Sequence, residues 1–430
     1  MGQDGTRVAE GRFFNQEVET LAWARRREVL DRRLAAAYGR ALAESRAYQE
    51  IYAAKGLGQG DVAGLDDLAR LPVVRMDDLV ERQRRDPPWG GFATLKPEEV
   101  RRIYVNPGLI FQPGDWDYRD TSWAEGLAAA GFGPGDRVLN TFNYQLWPFA
   151  FMMDESLKMV GATVVPTGVG NAFMQVRIMR RLKVNGFVGT PSFLMDLVQR
   201  AEGQGLDPGR DLFLERALVS AERLPESLRR RLQEKANLSI RQAYGTVFLG
   251  CLGYECREAA GLHVPDNVLV EVVDPETGAP LPPGQPGEIV ATNFSPSFPL
   301  LRLATGDLSS LAKGECPCGR TGPRLERVLG RIDQATKVRG TFVHPWQTDE
   351  IAARHPEVFK YQVVVSQEGY TDRLTFLIEL TEEGPPPEGF KGRLEQDIKE
   401  LLTIRGAVEL VPRGSIPDFH DKIVDRRSWD

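Results

Sequence analysis

From Gly135 onward the sequence repeats one pattern, and that pattern limits the possible folds more than any other feature. Arg137–Asn140 reads as a short strand, Phe149–Val160 as a helix closed by Gly161, Thr163–Pro166 as the next strand and Gln175–Leu182 as the next helix. Asn185–Gly189 is a strand running into Thr190-Pro191-Ser192, and Phe193–Glu202 is a helix capped by Ser192. Arg216–Ser220 and Ser239–Ala243 are further strands on either side of a helix over Pro225–Lys235. Strands alternating with helices of this length predict a parallel, layered α/β sheet.

On either side the grammar differs. Residues 13–55 are expected to be helical, because Leu21, Trp23, Val29, Leu30, Leu34, Tyr38 and Leu42 recur at steps of three and four among Arg and Glu. Gly56–Pro72 is a connector holding a short helix over Leu65–Leu71. After Gly261, Val268–Val273 and Glu288–Thr292 flank the turn-rich Asp274–Gly287, which predicts an antiparallel β module. Beyond Gly340 a small α+β domain is expected, with helices at Asp349–Arg354 and Gly392–Leu402 and strands at Tyr361–Ser366, Leu374–Leu380 and Val408–Leu410. The expected division is a large domain over 1–333 and a small mobile one over 334–430, turning about Ile332–Gln334.

Composition removes several classes of function. A chain of 430 residues with 42% hydrophobic and 27% charged residues is globular and long enough for two or three domains. A net charge of −6 argues against nucleic-acid binding, which needs a basic face. The Arg25–Arg27 and Arg229–Arg231 runs lie in Glu-bearing helical stretches and read as solvated faces. No apolar run approaches the ~18 residues of a membrane span. MGQDGTRVAEGR at the start contains no apolar core of a signal peptide, so the expectation is a cytoplasmic protein. Four cysteines in so long a chain do not make a disulfide framework.

Two groups of residues carry chemistry on their own account. Asp307 closes the turn Thr305-Gly306-Asp307 after the apolar run Pro299–Leu303, at a strand end, where α/β proteins place ligand groups. Cys256 and His263, with Cys316 and Cys318, offer three thiolates and one imidazole, a set suited to tetrahedral zinc. With all four ligands from the protein the zinc would be structural; the other reading is that small cysteines merely pack, as expected for Cys251.

Several short stretches, in this order, resemble the phenylacetate–CoA ligase family of adenylate-forming enzymes. They are Gly161-Ala162-Thr163 onward to Gly168-Val169-Gly170-Asn171, Gly189-Thr190-Pro191-Ser192, Tyr244-Gly245, Gly261-Leu262-His263-Val264, Asp274-Pro275-Glu276-Thr277-Gly278, Cys318-Gly319-Arg320-Thr321 and Gly330-Arg331. The likeness runs from about Phe13 to Arg427. It implies a two-domain adenylate-forming fold: a layered α/β domain with a β module, and a small C-terminal α+β domain. It also implies ATP-dependent activation of an aryl or acyl carboxylate through an acyl-adenylate, with coenzyme A then attacking to give a thioester. By the same resemblance Asp307 would bond the ribose hydroxyls, Arg331 the ribose or phosphate, Tyr244-Gly245 would stack on adenine, and Glu222 would lie beside it. A homodimer is implied in the same way.

Two departures bear on one part of that chemistry. The family's hydroxyl- and Gly-rich phosphate loop ending in Lys-Pro corresponds here to Asn106-Pro107-Gly108-Leu109-Ile110-Phe111-Gln112-Pro113. Leu109, Ile110 and Phe111 cannot donate to phosphate oxygens, and Gln112 brings no charge where the family has Lys. The acidic residue that would position magnesium after Tyr244-Gly245 is Phe248, which cannot coordinate a hard cation, so magnesium binding is in doubt. The family's C-terminal lysine falls on Lys422 when counted forward from Gly414-Ser415-Ile416-Pro417, and elsewhere when counted back from Asp425-Arg426-Arg427. The residues therefore favour a relative that binds nucleotide (AMP or ATP) or CoA with adenylation impaired or lost. The alternative is an active aryl- or acyl-CoA ligase with a divergent phosphate loop. Phe142, Tyr144, Trp147 and Phe149 either line an aromatic-acid pocket or form core.

Overall fold

The computed structural model describes residues 13–106, 109–114, 120–332, 336–338, 341–343, 345–368, 371–382, 384–417 and 421–427. Its residues gather into two compact units, one of 1–305 with 310–327 and one of 306–309 with 328–430. Beyond Ile332, the expected hinge lies outside the described residues.

An eight-stranded sheet organises the first unit. Its strand order is Arg324–Leu325, Leu262–His263, Gly250–Tyr254, Ser239–Thr246, Arg216–Val219, Gly186–Gly189, Arg137–Asn140 and Thr163–Pro166. The last five of these pair in parallel, as the strand–helix alternation predicts. From Ser239–Thr246 onward toward the other edge the pairings turn antiparallel. The chain leaves Arg137–Asn140 for the edge strand Thr163–Pro166, then returns to Gly186–Gly189 on the other side. That reversal separates the loops after Asn140 and Gly189, and open parallel sheets bind ligands in the crevice so formed.

Packing fixes both faces. On one side, Trp123, Phe142 and Phe149 meet edge to face with centroids 4.8 and 4.3 Å apart, in a cluster with Leu127, Val138, Met153 and Tyr254. Each such aromatic pair adds about 0.5–1.5 kcal/mol beyond its area. On the other side Val176, Met179, Leu194, Leu197, Val198 and Leu232 pack on Leu139, Phe187, Ala217 and Ile240. The helix Ser122–Ala129 is buried along its whole length, and sequence periodicity does not announce it because it has no polar face. The helix over Pro191–Gly203 begins two residues earlier than expected. Thr190, not Ser192, is its cap, accepting from Phe193 N at 3.2 Å.

The β module forms as expected, with Val268–Val273 and Gly287–Asn293 antiparallel. Arg302 is wholly internal. It donates to Glu271 at 3.0 and 3.1 Å and to the carbonyls of Leu71 and Gly278. In the second unit Val358–Glu368 and Thr371–Leu380 form a long hairpin. It is extended by parallel pairing with Ile423–Asp425 and Ala407–Leu410 and covered by the helices Pro345–Ala353 and Phe390–Leu402. No described helix is long and apolar enough to cross a membrane.

Candidate functional site

A cavity of about 490 Å³ opens where the parallel strands end. Thr141, Phe142 and Asn143 follow the strand Arg137–Asn140, Thr190 and Ser192 follow Gly186–Gly189, and Ser220 and Ala221 follow Arg216–Val219. Gly245, Trp147, Phe149, Phe193 and Asp196 complete most of the wall. The cavity thus sits at the reversal of strand order, and its size is that of a small-molecule site. Phe142, Trp147 and Phe149 line it, while Phe142 and Phe149 also belong to the core. Tyr144 is turned to other work: its hydroxyl donates to Asp154 at 2.6 Å and accepts from Asn140 Nδ2 at 2.9 Å.

The residues implicated in nucleotide binding fall on both units. In the first, Gly245 follows a bulge in the pairing of Ser239–Thr246 with Gly250–Tyr254. A Cβ there would lie 2.4 Å from Gly250 O and 2.7 Å from the Trp123 ring, so only glycine fits. Tyr244 is half-buried beside it. The Glu222 carboxylate accepts from Ser192 Oγ at 2.9 Å and Ser192 N at 3.3 Å, tying the loop after Arg216–Val219 to the first turn of the helix Pro191–Gly203. In the second unit Asp307 lies within the strand Leu303–Ser309 and not in a turn at a strand end as expected, because its backbone pairs directly with Arg331 in antiparallel register; Asp307 Oδ1 is 3.7 Å from Arg331 Nη1. Gly306, at φ +77°, lets the Arg331 guanidinium lie against the backbone there. Lys422 immediately precedes the strand Ile423–Asp425 and forms an ion pair with Asp349. Asp349 also accepts from Tyr361 Oη at 2.5 Å, and Tyr361 Oη is 3.0 Å from Thr348 Oγ1.

The stretch aligned with the phosphate loop is a tight hairpin. Arg102–Asn106 pairs with Ile110–Gly114, and Asn106 faces Ile110 across the turn. Pro107 and Gly108 lie outside the described residues. Leu109 is exposed at φ +58°, Ile110 and Gln112 are buried, and Gln112 Oε1 accepts from Asn106 Nδ2 at 3.5 Å. Gln83, on the helix Met76–Arg85, grips the Phe111 backbone twice at 2.8 Å, accepting its N–H and donating to its carbonyl. Phe248 is buried, and its carbonyl accepts from Asn293 Nδ2 at 3.1 Å.

Cys256, His263, Cys316 and Cys318 are gathered as expected: all four are buried and their ligand atoms lie within 4.8 Å of one another. Cys256 Sγ and Cys316 Sγ are 3.7 Å apart, and Cys318 Sγ is 3.4 Å from His263 Nε2. Sulfurs on one tetrahedral zinc, with bonds of about 2.3 Å, stand about 3.8 Å apart, whereas a disulfide needs about 2.05 Å. The spacing therefore fits a shared metal and not a bond. Burial, with the guanidiniums of Arg320, Arg324 and Arg26, holds His263 neutral down to about 3, and neutral imidazole is the form that ligates. Burial pushes the Cys256 thiol up to about 12. At Cys318 burial acts the same way but is outweighed by hydrogen bonds, led by that from Arg320 N, which lower the thiol.

Around the cluster the second layer is charged. Arg320 is buried, reaches Cys318 Sγ through its backbone N at 3.5 Å and pairs with Glu19 at 2.7 Å. Thr321 N donates to Glu19 O at 3.1 Å, so the ligand loop also holds the first helical segment. His263 Nδ1, buried without a partner among the described groups, borders a space of about 10 Å³ shared with Glu19, Arg26, Glu125 and Tyr254. That space has room for one water molecule. Cys251 lies apart from the cluster, packed with its thiol toward the carbonyls of Tyr244 and Gly253. Of the charged residues Glu19, Glu125 and Arg320, only Arg320 stands in a stretch that the sequence singles out; Glu19 and Glu125 look there like ordinary surface charges.

Comparison with known proteins agrees with this geometry. Residues 121–294 match the model of the AMP-binding enzyme family, and residues 340–427 match that of the AMP-binding enzyme C-terminal domain. A phenylacetate–coenzyme A ligase of Thermus thermophilus is 32% identical over 86% of this chain and 85% of its own. One of Pseudomonas putida is 30% identical over 88% and 89%. Among solved structures, an open conformation of 2-hydroxyisobutyryl-CoA ligase, in complex with 2-HIB-AMP and CoA, superposes with a TM-score of 0.83. It is 25% identical and covers 99% of this chain and 97% of that one. The chain belongs to the phenylacetate–CoA ligase family of AMP-binding, adenylate-forming enzymes.

Proposed function

We propose that this family member keeps a site for an adenylate and its acyl group, together with CoA, but has lost most of the machinery that forms the adenylate from ATP. The observation that carries the reading is the hairpin Arg102–Gly114. Ile110 and Gln112 are turned inward, Gln112 is engaged with Asn106, and Gln83 clamps the Phe111 backbone, so among the described residues at the turn, Asn106 and Leu109–Gln112, none offers a hydroxyl or a cation to β- and γ-phosphates. Phe248 supports it, being a buried ring where a magnesium-positioning carboxylate is needed. Within this reading Tyr244 and Gly245 receive the adenine with Glu222 beside it, Asp307 bonds the ribose, Arg331 the ribose or phosphate, and Lys422 is the candidate for the α-phosphate. The Asp349 pair of Lys422 would have to open for that role.

A structural zinc on Cys256, His263, Cys316 and Cys318 belongs to the same proposal, supported by the 3.7 and 3.4 Å ligand spacings. So do a mobile small domain from about residue 334, a cytoplasmic location and a homodimer. The second reading, a working aryl- or acyl-CoA ligase, draws on the named relatives and on the aromatic-lined cavity.

Carboxylate-dependent ATP–pyrophosphate exchange separates the two. Under the first reading exchange is negligible with aryl and short acyl acids, ATP binds no better than AMP, and AMP still raises the melting temperature. Robust exchange with any carboxylic acid establishes the second.

A further inference from the structure

The cavity has one charged wall residue, and it bears the wrong sign for a second carboxylate. Among the described lining groups are four aromatic rings, Phe142, Trp147, Phe149 and Phe193, several hydroxyls, and the single carboxylate of Asp196. Resting on the reading that this cavity takes the acyl group, we propose that Asp196 selects aryl acids whose far end carries a protonated amine.

Position supports this. Ser192, Phe193 and Asp196 lie on the helix Pro191–Gly203 at spacings of three and four, so they share one face, the face that forms the cavity wall. Thr190, Ser192, Ser220 and Gly245 sit at the strand ends, where the adenylate end of a ligand belongs. Asp196 is one helical turn beyond Ser192, about 6 Å farther along the axis. That is about the span of a benzene ring, so a substituent opposite the activated carboxyl meets Asp196.

Chemistry narrows the substituent. An ionised carboxylate only accepts hydrogen bonds, so a bare ring gives Asp196 nothing and a second carboxylate is repelled. A protonated amine gains both the carboxylate and the surrounding π faces. Asp196 already accepts from Arg200 Nε at 3.2 Å, but both side chains are substantially exposed. Exposed pairs at this spacing are worth about 0.3–0.5 kcal/mol, too little to withhold the carboxylate from a cation held in the cavity.

The test uses the full chain and acyl-sulfamoyl adenosines, stable mimics of acyl-adenylates, with AMP as reference, followed by calorimetry. The probes carry phenylacetyl groups with 4-methyl, 4-aminomethyl or 4-carboxy substituents. The 4-aminomethyl probe is expected to bind about tenfold or more tightly than the 4-methyl probe, a difference of about 1.4 kcal/mol. Asp196→Asn should bring that ratio to about one, and Asp196→Lys should turn the preference toward the 4-carboxy probe. Equal binding of the aminomethyl and methyl probes to the unaltered protein, both tighter than AMP, overturns the role of Asp196 and leaves the acyl site standing. No gain over AMP with any probe overturns the acyl site, and the selection with it.

Discussion

The Cys/His cluster and the hairpin Arg102–Gly114 are built alike and end up chemically opposite. Each contains a short turn pinned by one buried polar side chain from elsewhere: Glu19 holds Arg320 of the ligand loop, and Gln83 grips the Phe111 backbone. In the cluster the pinning converges four donor atoms on one point. In the hairpin it leaves Ile110 and Gln112 facing inward and only Leu109 at the tip among the described turn residues. The difference shows that a loop's place and its chemistry are held by different bonds. Buried polar contacts fix where it lies, and the groups it turns outward from those contacts decide what it can bind.

That contrast is easiest to break at the metal. Protein purified without added metal is expected to hold about one zinc per chain by elemental analysis. Cys318→Ser should abolish that and cost on the order of 4 kcal/mol of stability, because metal binding and folding are linked. Metal-free protein with an unchanged melting temperature would remove the cluster from the comparison. Next in size is catalysis. Gln112→Lys with Phe248→Glu should leave pyrophosphate exchange about 100-fold or more below that of an active ligase, since Leu109, Ile110 and Phe111 still supply no donors. Recovery of full exchange by those two changes would mean that the hairpin is a poised phosphate loop after all.

Smaller effects sharpen the picture. Arg320→Lys keeps the charge but loses the planar fork, and zinc affinity measured against a competing chelator should fall about 10–100-fold. Unchanged affinity would make Arg320 a packing residue. Gly245→Ala should cost about 1–3 kcal/mol by denaturant melting, as its Cβ must displace Gly250 O and Trp123. The last effect is with pH and is read on metal-free protein. There the fold holds His263 neutral to about 3, while the unfolded chain takes up that proton near 6.5. As pH falls between those values the unfolded state binds more protons. Stability should then decline by up to about 1.4 kcal/mol per pH unit, less so in His263→Asn.

What the sequence by itself determined is the frame. The alternation after Gly135 specifies strands and helices because each element shows its own period, and crossover helices oblige the strands to run in parallel. Cys256, His263, Cys316 and Cys318 offer a candidate ligand set in the sequence, and the fold gathers their ligand atoms within 4.8 Å. Tertiary structure decided the rest. Ser122–Ala129 is buried on every side and so has no period to read. Gly250–Tyr254 is buried throughout, and Ile423–Asp425 forms only by pairing with Val358–Glu368. Arg302 is a buried charge whose partner, Glu271, lies 31 residues away in the chain. Asp196 reads as a helix-surface acid until the cavity opens beside it. Local pattern records which face of an element meets water, whereas the partner of a buried charge comes from another part of the chain and leaves no local trace.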